Sequence, residues 1–240
     1  MATTQISLIK EHTLQIKPPR ALWVPFELGR PLGVPNDAAW QTRVLQSALE
    51  LIEVPEGPVL TDFPDDAPVS DEPAVLACPV SFPAPVTDLN DMEQLNATLQ
   101  REVSELRSWY NMAVNKNGRT TVGVSGLEPE TIGAFLGAFL NEEIPESPRA
   151  DISSFQLLKL VIEDLKAYYY EAMAAQPGHA SATGTMLADW LWSETTIGKV
   201  FYALHENWRE SEDSIKRLFS GILLVPTSYL AGSPYRGTLV

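Results

Sequence analysis

The side chains best suited to chemistry lie in a glycine-containing loop at residues 27–37. Glu27, Arg30 and Asn36 offer two charged groups and an amide, and Gly29 and Gly33 let the backbone come close to a ligand. An arginine fork can bind a carboxylate or phosphate with two parallel hydrogen bonds. The loop therefore predicts substrate binding by Glu27, Arg30 and Asn36, with the two glycines setting its geometry. In the alternative interpretation, Arg30 only pairs with Glu27 and the asparagine only caps a helix.

Cys78, the one cysteine, is a weak candidate for a catalytic nucleophile. A reactive thiolate needs a cationic neighbour or a helix N-terminus, whereas the charges that most closely precede Cys78 in the sequence are the acidic Asp66, Asp71 and Glu72. We expect Cys78 to be an inert packed residue, and an enzyme that uses it stays open as an alternative. A single cysteine also excludes an internal disulfide framework and a multi-cysteine zinc site within the chain.

Composition narrows the class of partner. A formal charge of −14 with a pI near 4.6 argues against nucleic acid or an anionic membrane as the main partner. His12, His179 and His205 show no metal-ligand spacing, so no metal site is predicted, although carboxylates could still hold a hard cation. Apolar runs of signal-peptide or membrane-spanning length are missing from the sequence, which predicts a cytoplasmic protein.

The elements that must position the loop follow a strand–helix–strand–helix order. We predict a strand at Ile6–Ile9, a helix at Lys10–Ile16 stopped by two prolines, and an extended segment at Ala21–Phe26. After the loop, Asn36 or Asp37 is expected to cap a helix that runs to about Glu53. Residues 1–55 then form a short α/β fragment that completes a parallel sheet.

Residues 56–88 form a proline-rich arm between this fragment and the rest of the chain. Residues 54–88 contain eight prolines, which precludes a helix or a central strand. Interspersed valines, leucines and phenylalanines suggest that the arm lies on a surface, since disordered segments usually lack such residues.

Residues 89–240 are predicted to form a mainly helical domain, which makes the fold class α+β and predominantly α. Apolar residues at steps of three and four predict a first amphipathic helix from Met92 to Tyr110. The further expected elements are a short β-like run at Thr120–Ser125, a helix from Pro129 with Gly133 and Gly137 on one face, a central helix capped by Asp151 or Ser153, and helices at Met186–Trp208 and Ser214–Val225.

Charged residues within the apolar helices are the remaining candidates for a polar centre. Buried carboxylates require partners, so some could form an acid–base site, although most are expected to be solvated or structurally paired. The carboxylates are Glu163, Asp164, Glu171, Asp189 and Glu194, and Lys159, Lys166 and Lys199 are available to neutralise them. His205 is expected to be a core or interface histidine.

Residues 4–60 resemble the C-terminal part of the selenoprotein B-type subunit of the D-proline, glycine, sarcosine and betaine reductase family. The matching residues are Pro19-Arg20-Ala21, Val24-Pro25, Gly29, Gly33, Pro35-Asn36-Asp37 and Gln41-Thr42-Arg43-Val44-Leu45. In that family the reacting cysteine or selenocysteine lies upstream of this region, so no position here takes over its role. The helical domain is an extension that the family's pattern does not include.

The resemblance implies a subunit of a heteromeric thiol- or selenol-dependent reductase or lyase that cleaves a C–N or related C–X bond in a small amino-acid-like substrate. A second polypeptide would supply the rest of the α/β sheet and the reactive Cys or Sec, because a fifty-residue fragment cannot cover both faces of a parallel pair. A non-catalytic docking subunit of such a complex is the alternative. The sequence names no cofactor.

Overall fold

The computed structural model describes residues 2–67, 91–141, 143–176 and 184–230. The chain forms two compact units, Met1–Asp71 and Glu72–Val240. A small parallel sheet lies in the first unit and helices make up the second, which confirms the predicted α+β, predominantly α class.

The first unit is a three-stranded parallel sheet with two crossover helices. Its elements are β1 (Gln5–Ser7), α1 (Lys10–Ile16), β2 (Arg20–Trp23), α2 (Ala38–Glu50), a 3-10 turn (Leu51–Glu53) and β3 (Val59–Asp62). The strand order is β1-β2-β3, with Gln5 opposite Ala21 and Arg20 opposite Val59. The predicted strand–helix–strand–helix order is present, and β3 adds a strand that the sequence did not predict.

Strand β3 lies inside the segment that was expected to be a proline-rich arm. It follows Pro58 and occupies an edge of the sheet, where the missing N–H of a nearby proline disturbs the ladder least. The first compact unit accordingly runs to Asp71, beyond the predicted boundary near residue 55. The remainder of the predicted arm, from residue 68 to 88, lies outside the described residues.

The core of the first unit is small and lies between the sheet and α2. Three aromatic rings meet in it: the centroid of Phe63 is 5.7 Å from that of Phe26 and 5.9 Å from that of Trp40. The buried apolar residues are Leu22, Val24, Phe26, Val44, Ala48, Leu51 and Phe63. Several large aliphatic side chains of this unit remain exposed, namely Ile9, Leu14, Ile16, Leu28, Leu45, Leu49 and Ile52.

The second unit is a helical bundle. Its helices are α3 (Met92–Asn117), α4 (Pro129–Ala138), α5 (Ser154–Ala174), α6 (Gly184–Glu194), α7 (Thr196–Trp208), α8 (Ser214–Phe219) and α9 (Thr227–Leu230), and α8 continues into a π-helical turn (Ser220–Leu224). Helix α5 is central, with Tyr168 and Tyr169 fully buried, and Phe201 of α7 is equally inaccessible. The predicted amphipathic stripe of α3 faces this core through Leu95, Leu99, Val103 and Leu106.

Local sequence signals explain several helix ends. Ser153 caps α5 in a capping box with Gln156, so Ser153 rather than Asp151 is the cap. Pro129 occupies the first turn of α4, as predicted. Gly133 and Gly137 face α3 closely, because a Cβ at Gly137 would lie 2.0 Å from Oδ1 of Asn96.

Two predictions in the helical region are wrong. Residues Thr120–Ser125 form no strand; Gly123 has a left-handed φ of 133°, and the local N–H groups bond to a carboxylate instead of a neighbouring strand. The helix expected at Met186–Trp208 is two helices, since the Thr195 side chain accepts a hydrogen bond from Gly198 N and caps α7.

Candidate functional site

The loop after β2 has the backbone geometry that its glycines suggested. Gly29 and Gly33 have φ of 89° and 75°, and Asn36 is also left-handed at 62°. Two successive turns close the loop, through hydrogen bonds from Arg30 N to Glu27 O and from Gly33 N to Arg30 O. The loop leaves the carboxyl end of a parallel strand, which is where open α/β sheets hold their ligands.

Glu27 and Arg30 are brought together on this loop. Their charged atoms lie 3.8 Å apart, and about half of the Arg30 side chain is exposed. Asn36 is exposed and does not cap the helix; the cap of α2 is Asp37, whose carboxylate accepts from Trp40 N at 2.9 Å. The loop therefore presents a half-exposed guanidinium beside one carboxylate, a pair that can bind a small zwitterion.

Gly33 is required by packing as well as by backbone conformation. It is buried against α2, and a Cβ there would lie 2.4 Å from Nε1 of Trp40. Gly29, in contrast, has open space around the position of a Cβ. The loop thus packs against α2 at Gly33, whereas at Gly29, next to Arg30, no other part of the described chain lies against it.

The weak nucleophile candidate, Cys78, lies outside the described residues. Among the described residues, no group of three or more His, Cys, Asp or Glu side chains is arranged to hold a metal ion. Within the same ranges, none of the helices is both long enough and apolar enough to cross a membrane.

Asp164 and Glu171 of α5 both hold the segment that links α3 to α4. Asp164 is fully buried and accepts hydrogen bonds from the backbone N–H groups of Gly123, Val124 and Ser125. Glu171 accepts from the backbone N–H of Thr121 and from two threonine hydroxyls. These two carboxylates fix a loop, which is a structural role.

Glu102 is a buried carboxylate that sequence reasoning missed. It lies on α3 and accepts hydrogen bonds from the backbone N–H and hydroxyl of Thr196, from Ile197 N and from the Tyr169 hydroxyl. Burial raises the pKa of Glu102 above its ordinary value, while the donors from Thr196, Tyr169 and Ile197 act in the opposite direction. The spacing in the sequence indicates this burial, because Glu102 lies three residues after Leu99 and four before Leu106, on the apolar stripe of α3.

Lys166 has surroundings unlike those expected from the sequence. Its ammonium lies 5.2 Å from the ring centroids of both Trp192 and Phe201, and it donates to Leu223 O at 3.4 Å. Burial lowers the pKa of Lys166 to about 8, and the negative charge of Glu163 acts in the opposite direction. The structure therefore places this amine beside two aromatic rings, and Glu163, one of the carboxylates that it was available to neutralise, acts on it electrostatically.

The remaining polar candidates of the second unit are His205, Asp189, Glu163, Glu194 and Lys159, and they do not form one cluster with Glu102 or Asp164 in the contacts that the structure shows. His205 is buried, and its Nδ1 lies 3.0 Å from Ser220, at the start of the π-helical turn. Asp189 is exposed and accepts from the Tyr229 hydroxyl at 2.7 Å. Glu163, Glu194 and Lys159 are exposed.

Comparisons with protein-family models, with curated proteins and with solved structures found no match to the chain. The protein is therefore described by its own two units. One is a small parallel α/β unit with a glycine loop, and the other is a helical bundle in which the buried carboxylates of Glu102 and Asp164 accept hydrogen bonds.

Proposed function

We propose that the chain is a cytoplasmic subunit of a hetero-oligomeric thiol- or selenol-dependent reductase, and that its first unit docks onto the polypeptide that carries the reactive Cys or Sec. The observation that carries the docking step is a stripe of exposed aliphatic side chains on α2 and the 3-10 turn that continues it. Leu45 and Leu49 of α2 and Ile52 of the turn are spaced by four and three residues. The same helix buries Val44 and Ala48.

The sheet of the first unit supports the same proposal. It has three strands of three or four residues, and β1 and β3 are both edges. Parallel sheets usually lie between two helical layers and contain more strands than this. Further strands from a partner would extend an edge, and the partner's surface would cover the aliphatic stripe.

The chemistry proposed for the complex follows from the resemblance of residues 4–60 to the reductase family. The partner's thiolate or selenolate attacks the substrate carbon and displaces the amine, so a C–S or C–Se bond replaces the C–N bond. An external thiol then attacks the chalcogen, the carbon leaves and takes a proton, and a second thiol restores the nucleophile and yields a disulfide. The two electrons that reduce the C–N bond thus come from two external thiols, which end as one disulfide.

In this scheme the glycine loop supplies part of the substrate pocket. Arg30 would bind the substrate carboxylate while Glu27 faces its amine, because the two charged groups lie side by side and are partly exposed. Asn36, exposed at the end of the same loop, would add an amide contact.

The docking step is tested by co-expression with the product of the adjacent reading frame, followed by size-exclusion chromatography with light scattering. We expect a hetero-oligomer that Leu49→Glu abolishes, because a charge would be buried at the interface. Leu218→Glu, at an exposed leucine of the second unit, is the matched control and should leave the complex intact. A wild-type chain that stays monomeric beside that product contradicts the proposal.

The catalytic step is tested on the purified complex with a panel of small amino acids and dithiothreitol, by measuring released amine. Arg30→Ala should raise KM at least tenfold, whereas Arg43→Ala, which removes an arginine paired with Asp65, should not. A complex that forms but reduces nothing on the panel would refute the reductase assignment while leaving docking in place.

A structural docking subunit is the second candidate, and the buried carboxylates favour it. Glu102 and Asp164 are both occupied by donors from their own chain, and Glu171 holds a loop. If Arg30→Ala and Asn36→Ala leave turnover and substrate binding of an active complex unchanged, the scaffold role is correct and the binding role of the loop is wrong.

A further inference from the structure

Strand β1 has one edge that pairs with β2 and one that pairs with nothing among the described residues. On the paired edge, Ser7 lies opposite Trp23 and its carbonyl accepts a hydrogen bond from Val24 N at 2.9 Å. Backbone groups alternate in direction along a strand, so those of Ile6 point away from β2. Within the described ranges, the Ile6 N–H and C=O have no hydrogen-bond partner. The free edge therefore presents a donor and an acceptor that fit another extended backbone.

The two edge strands of the sheet differ in how well they are protected against pairing. Strand β3 lies between Pro58 and Pro64, and it carries the charged Asp62. Prolines and charges are features by which natural edge strands avoid pairing with other chains. Residues 2–9 contain no charge, no proline and no glycine, and half of them are threonine or isoleucine, which favour strands. Strand β1 is therefore the unprotected edge.

The side chains on one face of β1 also lack a neighbour on this side. Ile6 and Leu8 lie on the same face of the strand and pack against the core of the first unit, yet both remain partly exposed. Side chains from an added strand would cover them, because cross-strand neighbours on one face are in contact. The occupant that the edge fits is thus an uncharged extended strand with apolar side chains on one face.

We propose that this occupant is β1 of a second copy of the chain, paired in antiparallel orientation, so that two three-stranded sheets join into one of six strands. A two-fold axis at Ile6 places it opposite its counterpart, and the two residues exchange both backbone hydrogen bonds. Thr4 then lies opposite Leu8 of the second copy. The inference does not depend on the proposed reductase function, whose docking step uses the aliphatic stripe on α2.

Charge and symmetry favour a second copy. Each chain carries a formal charge of −14, which disfavours association over most of the surface. Residues 4–8 of both copies are uncharged, so no like charges meet within the joined strands. The antiparallel pair is also closed, because the two β1 edges cover each other and leave no further β1 edge free.

The joined strands are short, so we expect a weak dimer. A standard interface buries roughly 800 Å² on each partner, and a pair of strands with three assigned residues each is smaller than that. Mass action then makes the dimer fraction rise with concentration.

Sedimentation velocity of the purified full-length chain, from about 2 to 200 µM, tests the dimer. We expect the mass to rise from 26.5 kDa towards twice that value. Over the same range, hydrogen exchange of the Ile6 amide, followed by NMR, should slow by roughly tenfold or more. The Val24 amide, already bonded to Ser7, should not change. A constant mass of 26.5 kDa with an unchanged exchange rate at Ile6 would overturn the proposal.

A proline on each edge assigns the contact to β1. The Thr4 N–H points to the free edge, so Thr4→Pro removes a donor to the second copy while leaving the β1–β2 ladder in place, and it should raise the dissociation constant at least about tenfold. Asp62→Pro is the matched control on the free edge of β3, because Phe63 N, not the Asp62 N–H, bonds to β2. It should leave the dimer unchanged.

Protection of the Val24 amide reports that the sheet of each variant is folded. With that protection retained, a dimer that Thr4→Pro does not weaken, or that Asp62→Pro weakens equally, would refute the assignment to β1.

Discussion

The two units use their charged residues in opposite ways. In the first unit, Lys10 pairs with Asp62 and Arg43 with Asp65, and all four side chains are well exposed. In the second, the carboxylates of Glu102 and Asp164 are buried and take their hydrogen bonds from backbone N–H groups far away in sequence. The second unit therefore fixes a loop and a helix start through buried carboxylates, whereas none of the described carboxylates of the first unit is buried.

The two kinds of charged contact contribute differently to the free energy of unfolding. Buried hydrogen-bonded carboxylates are costly to disrupt, while exposed ion pairs contribute little. The core of the second unit is also much larger than that of the first. Four substitutions test this contrast between the units.

The largest effect is expected for Glu102→Ala. The change leaves the Thr196 N–H, the Thr196 hydroxyl and the Tyr169 hydroxyl without their acceptor, so we expect a loss of about 3–5 kcal/mol in the free energy of unfolding. Urea unfolding followed by circular dichroism measures it. Ser104→Ala, at an exposed site of the same helix, is the control and should stay within about 0.5 kcal/mol. A loss under 1 kcal/mol for Glu102→Ala would show that the network is not stabilising.

Gly33→Ala tests the first unit. A left-handed φ and a Cβ only 2.4 Å from Trp40 predict a loss of about 2–3 kcal/mol. Hydrogen exchange at the amides of Ala21 and Leu22 reports the first unit specifically. Gly29→Ala shares the left-handed φ but meets no atom, so about 1 kcal/mol is expected from strain alone. Equal losses at the two glycines would contradict the packing role of Gly33.

Lys166→Met is expected to stabilise the chain by about 1 kcal/mol at pH 7. The pKa of Lys166 is lowered from 10.5 to about 8, so the folded state disfavours its ammonium form. This penalty is complete below pH 8 and disappears as the pH rises through 8 to 10.5. Thermal melts should therefore show a gain at pH 7 that shrinks towards pH 10. A gain that stays constant from pH 7 to pH 10 would contradict this linkage.

The smallest effect is expected for Lys10→Ala. Its partner Asp62 is about half exposed, so the loss should be under about 0.5 kcal/mol and should fall further in 1 M salt. Chemical denaturation at low and high salt measures the difference. A loss comparable to that of Glu102→Ala would erase the contrast between the units.

The sequence predicted the parts of the fold that depend on local patterns. The stripe of α3, the proline at the start of α4 and the capping serine of α5 are read from neighbours within one or two turns. The turn-forming glycines of the loop after β2 are equally local, and both have the left-handed φ that glycine favours.

Features that depend on distant residues were not predictable in this way. The break at Thr195 is stabilised by Glu102, 94 residues before Thr196. Strand β3 exists because Val59–Asp62 pairs with β2, although its own segment is rich in proline. The aromatic surroundings of Lys166 come from α6 and α7, so its sequence neighbours suggested only a salt bridge.

The π-helical turn at Ser220–Leu224 makes this segment tolerant of a change in chain length. A π-turn accommodates one residue more than an α-turn. Removing a single residue there would restore regular α-helix while the residues downstream keep nearly the same directions. A deletion within the regular helix α7 would instead rotate everything after it by about 100° and turn Val225 and Leu230 away from the core.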